Sequence, residues 1–145
     1  MTTLLDHAQS QERGTGETVL SRVRALLPEI AERSAEGENA RAVPAQIVAA
    51  LREAGVFRMA LPAAWGGEQL GLVEGARVVR EIARADGSTG WTVQAASMAW
   101  YFLRSLPRET LENEVFAGGA DLMLRGAVAP KGLATPVRGG YRLSG

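Results

Sequence analysis

The chain has 145 residues, 46% hydrophobic and 22% charged, with sixteen basic and sixteen acidic side chains, which suits one domain with a real core or one domain plus part of another. Zero net charge without a basic run argues against nucleic acid or anionic lipid as partners, and no stretch approaches the ~20 apolar residues of a membrane span, so a cytoplasmic location is expected. With no cysteine and one histidine, His7, disulfides, thiolate catalysis, a Ser-His-Asp triad and cysteine- or histidine-cluster metal sites are excluded, and no metal is expected.

Residues 1–17 are polar and without period, which predicts a disordered leader. From Thr18, Val19, Val23, Leu26, Leu27 and Ile30 recur at three- and four-residue steps and predict a helix. Pro28 leaves two alternatives, a kink in one helix or a second helix with Pro28 in its first turn. The polar Glu36-Gly37-Glu38-Asn39 is expected to end the segment. Pro44 opens a second helix whose apolar face is Ile47, Val48, Leu51 and Ala54, with Gly55 as terminator. Residues 56–61 predict a short extended piece that runs through Pro62 into a tight loop at Trp65-Gly66-Gly67. A glycine pair there lets backbone pass close to something large.

A third helix is predicted over 72–85, with Val78, Val79, Ile82 and Ala83 inward. Gly87 caps its end, and Ser88 or Thr89 starts the next helix by bonding its free amides. That fourth helix, over 89–104, carries Trp91, Val93, Ala95, Ala96, Met98, Ala99, Trp100, Phe102 and Leu103 on almost every side. A helix apolar all round asks for burial on all sides, and so small a bundle cannot supply it. Pro107 opens a fifth helix with Leu111, Val115 and Phe116 on one side and Gly118-Gly119 at its end. After it the period turns alternating: Leu122, Leu124 and 127–129 read as strand-like, and Val137, Tyr141 and Leu143 flank a hairpin turn at Arg138-Gly139-Gly140. Two or three strands without a larger sheet are marginal in water. The expected architecture is therefore mainly α: a helical domain of about five helices over 18–119, then at 120–145 the opening strands of a truncated β-domain.

Few constellations suggest chemistry. Gly66-Gly67-Glu68-Gln69-Leu70-Gly71 lacks the lysine of a phosphate loop and is no dinucleotide fingerprint. Glu81 and Arg84 have the spacing of a surface ion pair, and Asp86 is suited to organising a helix junction. Trp91, Gln94, Met98 and Tyr101 step by three or four along one helix, with Ser97 beside them. Such a set either lines a site for a flat ring or belongs to an ordinary core.

The order of the motifs is informative. Pro44 leading to LREAGVFRMALPAAWGG (51–67), EIARADGSTGW (81–91), a helix, Pro107 and VFAGG (115–119), then GAVAPKGLATPVRGGYRLSG (126–145) resembles the acyl-CoA dehydrogenase superfamily. Within it, the chain is most similar to the two-component flavin-dependent monooxygenases. The resemblance spans 18–145 and implies a helical domain followed by a central β-domain and a C-terminal helix bundle that builds a tetramer. It also implies reduced flavin, FMN rather than FAD, delivered by a separate flavin reductase for hydroxylation of an aromatic or polycyclic substrate by oxygen. Carried onto this sequence, the resemblance sets Ala127, Val128, Ala129 and Pro130 beside the isoalloxazine ring. It makes Trp91, Gln94, Met98 and Tyr101 a wall of the flavin and substrate pocket, with Trp65 near the mouth. Relatives often carry serine where Ala127 stands and histidine near Ala99; this chain has alanine at both. No catalytic residue is assigned.

The expected function is thus the N-terminal segment of a flavin-dependent oxidoreductase of monooxygenase type, inactive alone and holding no flavin tightly. Two alternatives stay open. One is a segment of an acyl-CoA dehydrogenase with an acyl substrate. The other is a stand-alone, non-catalytic helical module that binds a partner or hydrophobic ligand through the apolar fourth helix.

Overall fold

The structure, a computed structural model, describes residues 18–103, 105–119, 122–124 and 131–145, apart from the side chains of Met98, Ala99, Tyr101 and Phe102. Helix α1 (Val19–Glu32) opens at Thr18, whose hydroxyl oxygen accepts the Ser21 amide at 3.2 Å. That bond satisfies one of the donors a first turn leaves spare. One helix runs through Pro28, which decides between the two alternatives. The chain breaks at Arg33 and continues at once as α2 (Ser34–Ala40). Here the expected end is corrected: Glu36-Gly37-Glu38-Asn39 lies inside α2, and the stop is Arg41, left-handed at φ 52°. Helix α2 buries no residue, so no apolar period marks it.

Helix α3 (Ala45–Glu53) follows Pro44, buries Ile47 and Leu51, and gives way to Gly55 at φ 83°. Residues 56–61 do not form the extended piece that was expected. Two 3-10 turns, Val56–Arg58 and Ala63–Trp65, replace it. A strand would send neighbouring side chains to opposite faces, whereas Val56, Phe57, Met59 and Leu61 are all buried. Helix α4 (Leu72–Ala85) turns Val78 and Ile82 inward, while Ala83, expected inward, is exposed.

Helix α5 (Gly87–Leu103) starts one residue after α4 has ended at its cap, Asp86. Asp86 Oδ2 accepts the Thr89 amide at 2.7 Å, so Asp86 caps α5 in place of Ser88 or Thr89. A carboxylate also suits the positive end of the helix dipole. The two helices approach so closely that a Cβ on Gly90 would lie 2.5 Å from the Ala83 Cβ. Together Val19, Val23 and Ile30 of α1, Ile47 and Leu51 of α3, Val56, Phe57 and Met59, Val78 and Ile82 of α4, and Val93 and Ala96 of α5 form the core.

Beyond Pro107, a single helical turn α6 (Arg108–Thr110) passes into a π turn over Leu111–Val115, with Leu111 buried. Strands β1 (Leu133–Val137) and β2 (Gly140–Ser144) pair antiparallel with Val137 opposite Gly140, turning at Arg138-Gly139 with Gly139 at φ 86°. Leu122 and Leu124, expected to be strand-like, lie outside any strand, and 127–129 lie outside the described residues. Ala134, Pro136, Tyr141 and Leu143 share one face of the hairpin by register, and all are exposed. The described chain is mainly helical with one two-stranded antiparallel sheet.

Candidate functional site

Helix α5 is built differently on its two sides. Inward, Val93, Ala96, Ser97 and Trp100 are buried. Ser97 Oγ donates to the Val93 carbonyl at 2.8 Å, and Trp100 Nε1 donates to the Phe57 carbonyl at 3.1 Å. Every buried polar atom on this side is therefore paired, as burial requires. Outward, Trp91 is 75% exposed and Ala95 is exposed as well. Trp91 and Ala95 face an open hollow of about 620 Å³ that Val43, Val48, Met123 and Leu124 also border. Among the described residues, no charged side chain lines it. The size falls within the ~300–1,000 Å³ usual for small-molecule sites, and the walls are the apolar kind such sites favour.

The expected pocket residues do not converge. Gln94 borders a separate hollow of about 110 Å³ towards α4, with Met59, Leu70, Leu72, Val79 and Ser97. Trp65 lies near the far end of α5, where its ring centroid is 5.0 Å from that of Phe116, and Phe116 in turn stacks on Trp100 at 5.1 Å and 14°. Trp91, Gln94 and Trp65 thus line three different hollows. The side chains of Met98 and Tyr101, and all of Ala127, Val128, Ala129 and Pro130, lie outside the described residues.

One charged cluster escaped the sequence. Glu68 Oε1 accepts from Arg22 Nη2 at 2.9 Å and from Arg58 Nη2 at 3.1 Å. Arg22 Nε also donates to the Ala54 carbonyl at 3.0 Å. This half-buried carboxylate ties the 55–70 loop to α1. The same loop explains its glycines: a Cβ on Gly67 would lie 2.0 Å from the Leu61 carbonyl oxygen. The large object passing Gly66-Gly67 is thus the loop's own backbone. No spacing rule could pair Arg22 with Glu68 across 46 residues. Glu81 pairs with Arg80 at 2.9 Å and not with Arg84 as its spacing suggested. The Arg80 hydrogen bond is the main reason the Glu81 carboxyl is held below the usual carboxylate range. Among the described residues no three His, Cys, Asp or Glu side chains converge as metal ligands, and no helix is long and apolar enough to cross a membrane.

These helices, loop and hairpin have counterparts. Residues 15–118 match the acyl-CoA dehydrogenase N-terminal domain, and the chain belongs to that family. Its relatives include the oxygenase subunit HsaA, a flavin-dependent monooxygenase of Rhodococcus jostii (strain RHA1), 36% identical over 126 residues, covering 87% of this chain and 33% of that protein. The oxygenase component of the FADH(2)-dependent resorcinol hydroxylase of Rhizobium sp. (strain MTP-10005) is 38% identical over 108 residues, covering 74% of this chain and 26% of that one. The crystal structure of 3-HSA hydroxylase from Rhodococcus sp. RHA1 superposes with a TM-score of 0.82 at 35% identity, over 88% of this chain and 33% of its own. The HsaA monooxygenase of M. tuberculosis superposes with a TM-score of 0.83 at 31% identity, over 88% and 34%. The chain spans about a third of the length of these relatives.

Proposed function

We propose that this chain forms the helical part of the oxygenase component of a two-component, flavin-dependent aromatic monooxygenase, with 18–119 as its helical domain and 120–145 as the start of its β-domain. The observation that carries this is the 36% identity to a flavin-dependent oxygenase subunit across 87% of the chain. When bound, the reduced flavin supplies the activation of oxygen for ring hydroxylation. The chain's own part is to bind, orient and exclude water. The uncharged hollow beside Trp91 and Ala95 fits a flat ring, and Ala127, Val128, Ala129 and Pro130 would run along it. An indole there offers an apolar face, and keeping water out strengthens every polar contact made inside. Met98 and Tyr101 would extend that wall.

FMN is the flavin of this proposal. The reduced flavin comes from a separate reductase, and the protein works as a cytoplasmic homotetramer on a small aromatic substrate. The test is oxygen-dependent hydroxylation of a phenol by a full-length protein containing this chain, in the presence of a flavin reductase, with FMN and FAD compared. Hydroxylation supported by FMN is expected. Turnover with FAD alone overturns the choice of FMN, and oxidation of an acyl-CoA with an electron acceptor, without hydroxylation, overturns the monooxygenase assignment.

A further inference from the structure

The Trp65–Phe116–Trp100 group marks the third of these hollows, at the other end of α5 from Trp91. Nine residues of helix separate Trp91 from Trp100, a rise of roughly 14 Å, so the two hollows are different places. This one holds about 310 Å³ and is walled by Trp65, Trp100, Leu61, Pro62, Leu103 and Leu111. The volume is about twice the ~150 Å³ of an apolar cavity that takes up benzene, so one or two fused rings fit. One of the two indole donors in the walls is already spent. Trp100 Nε1 is bonded to the Phe57 carbonyl and is only 5% exposed with its residue. Among the described residues, no charged side chain lines the hollow.

The indole platform is also held in place in advance. Phe116 lies between the two indoles, 5.0 Å from Trp65 and 5.1 Å from Trp100. The loop that carries Trp65 is closed by the Gly67 amide on the Pro62 carbonyl at 3.1 Å and the Gln69 amide on the Leu61 carbonyl at 3.0 Å. Gln69 Oε1 accepts the Ala63 amide at 3.1 Å, and Glu68 pins the loop to α1 through Arg22. A wall that is already ordered loses little entropy when a ligand arrives.

We propose that this hollow is a binding site for a neutral, planar aromatic compound of one or two rings, selected mainly by shape and apolar contact. The proposal is independent of the reaction the protein catalyses, because it concerns binding alone. Naphthalene and 2-naphthol serve as probes, titrated against the full chain and followed by tryptophan emission and by calorimetry. Saturable binding that tryptophan emission follows is expected, with the two probes within threefold of each other because apolar contact supplies most of the affinity. Trp65→Ala weakens binding at least tenfold, Trp65→Phe restores most of it, and Ala60→Leu, at another residue of the wall, fills part of the space and also weakens it. Trp91→Ala changes it less than twofold. Far-ultraviolet circular dichroism of each variant confirms that it is folded; if Trp65→Ala is not, Ala60→Leu and Trp65→Phe carry the test. Absence of saturable binding overturns the proposal. So does binding that Trp91→Ala abolishes, or binding that Ala60→Leu leaves unchanged.

Discussion

Gly90 offers a decisive test of how α4 and α5 are packed. A Cβ there would sit 2.5 Å from the Ala83 Cβ, 2.6 Å from its Cα and 2.9 Å from its nitrogen. Two of those three atoms are backbone, so no rotamer change relieves the contact and one helix must move. Gly90→Ala therefore sets two effects against each other. Removing glycine from a helix interior is worth up to about 1 kcal/mol, whereas overpacking typically costs about 1–3 kcal/mol. With backbone in the way the cost lies at the upper end, leaving a net destabilisation of about 2 kcal/mol. For a chain of this size that lowers Tm by about 4–8 °C. Gly87, in the same helix, is the control, since a Cβ there meets nothing within 4 Å; Gly87→Ala should stay within about 0.5 kcal/mol of the parent. Thermal unfolding followed by circular dichroism, supported by urea midpoints, measures both. A Gly90→Ala chain as stable as the parent, or more so, would refute the close helix contact.

Other outcomes follow from the same contacts. Gly67→Ala drives a Cβ into the Leu61 carbonyl and should abolish the near-ultraviolet signature of the Trp65–Phe116 pair; an unchanged spectrum contradicts the loop geometry. Glu68→Ala removes the shared acceptor of Arg22 and Arg58. Because all three side chains are part-exposed, the loss should be only about 1 kcal/mol, and limited proteolysis should now cut within 55–70. Arg80→Gln should raise the Glu81 pKa towards its ordinary value, read by NMR titration, since the Arg80 bond is the largest cause of its depression. A carboxyl with a lowered folded pKa contributes stability above its unfolded pKa and loses it as pH falls through the folded one. Parent and variant should therefore differ at neutral pH and converge in acid. Trp91→Ser should leave stability within about 0.5 kcal/mol, because the side chain is 75% exposed, yet impair hydroxylation if Trp91 walls the reaction pocket.

Local signals in the sequence account for much of this architecture. Pro44 and Pro107 stand immediately before the helices they announce, and Arg138-Gly139 is the hairpin turn, because a fixed φ and a positive φ are properties of single residues. The excess of apolar positions on α5 was also legible. It surfaces in the structure as the exposed Trp91 and Ala95, a flank the described residues leave uncovered. Helix α2 was not legible, since its polar residues bury nothing and its stop, Arg41, is no glycine. The placing of Trp91, Gln94 and Trp65 in separate hollows was equally hidden, because helical spacing gives an angle around one axis and says nothing of what packs against each side.

By itself, then, the sequence determined the helices that Pro44 and Pro107 announce, the hairpin turn, the family resemblance and the need of α5 for more cover than a small bundle can give. Only the tertiary structure decided that Gly90 lets two helices touch and that Glu68 joins Arg22 to Arg58. The reason is range. Caps and turns are written in neighbouring residues, whereas a close helix crossing or a shared carboxylate exists only once burial of Val23, Val78, Ile82 and Val93 has drawn distant stretches of chain to within a few ångströms.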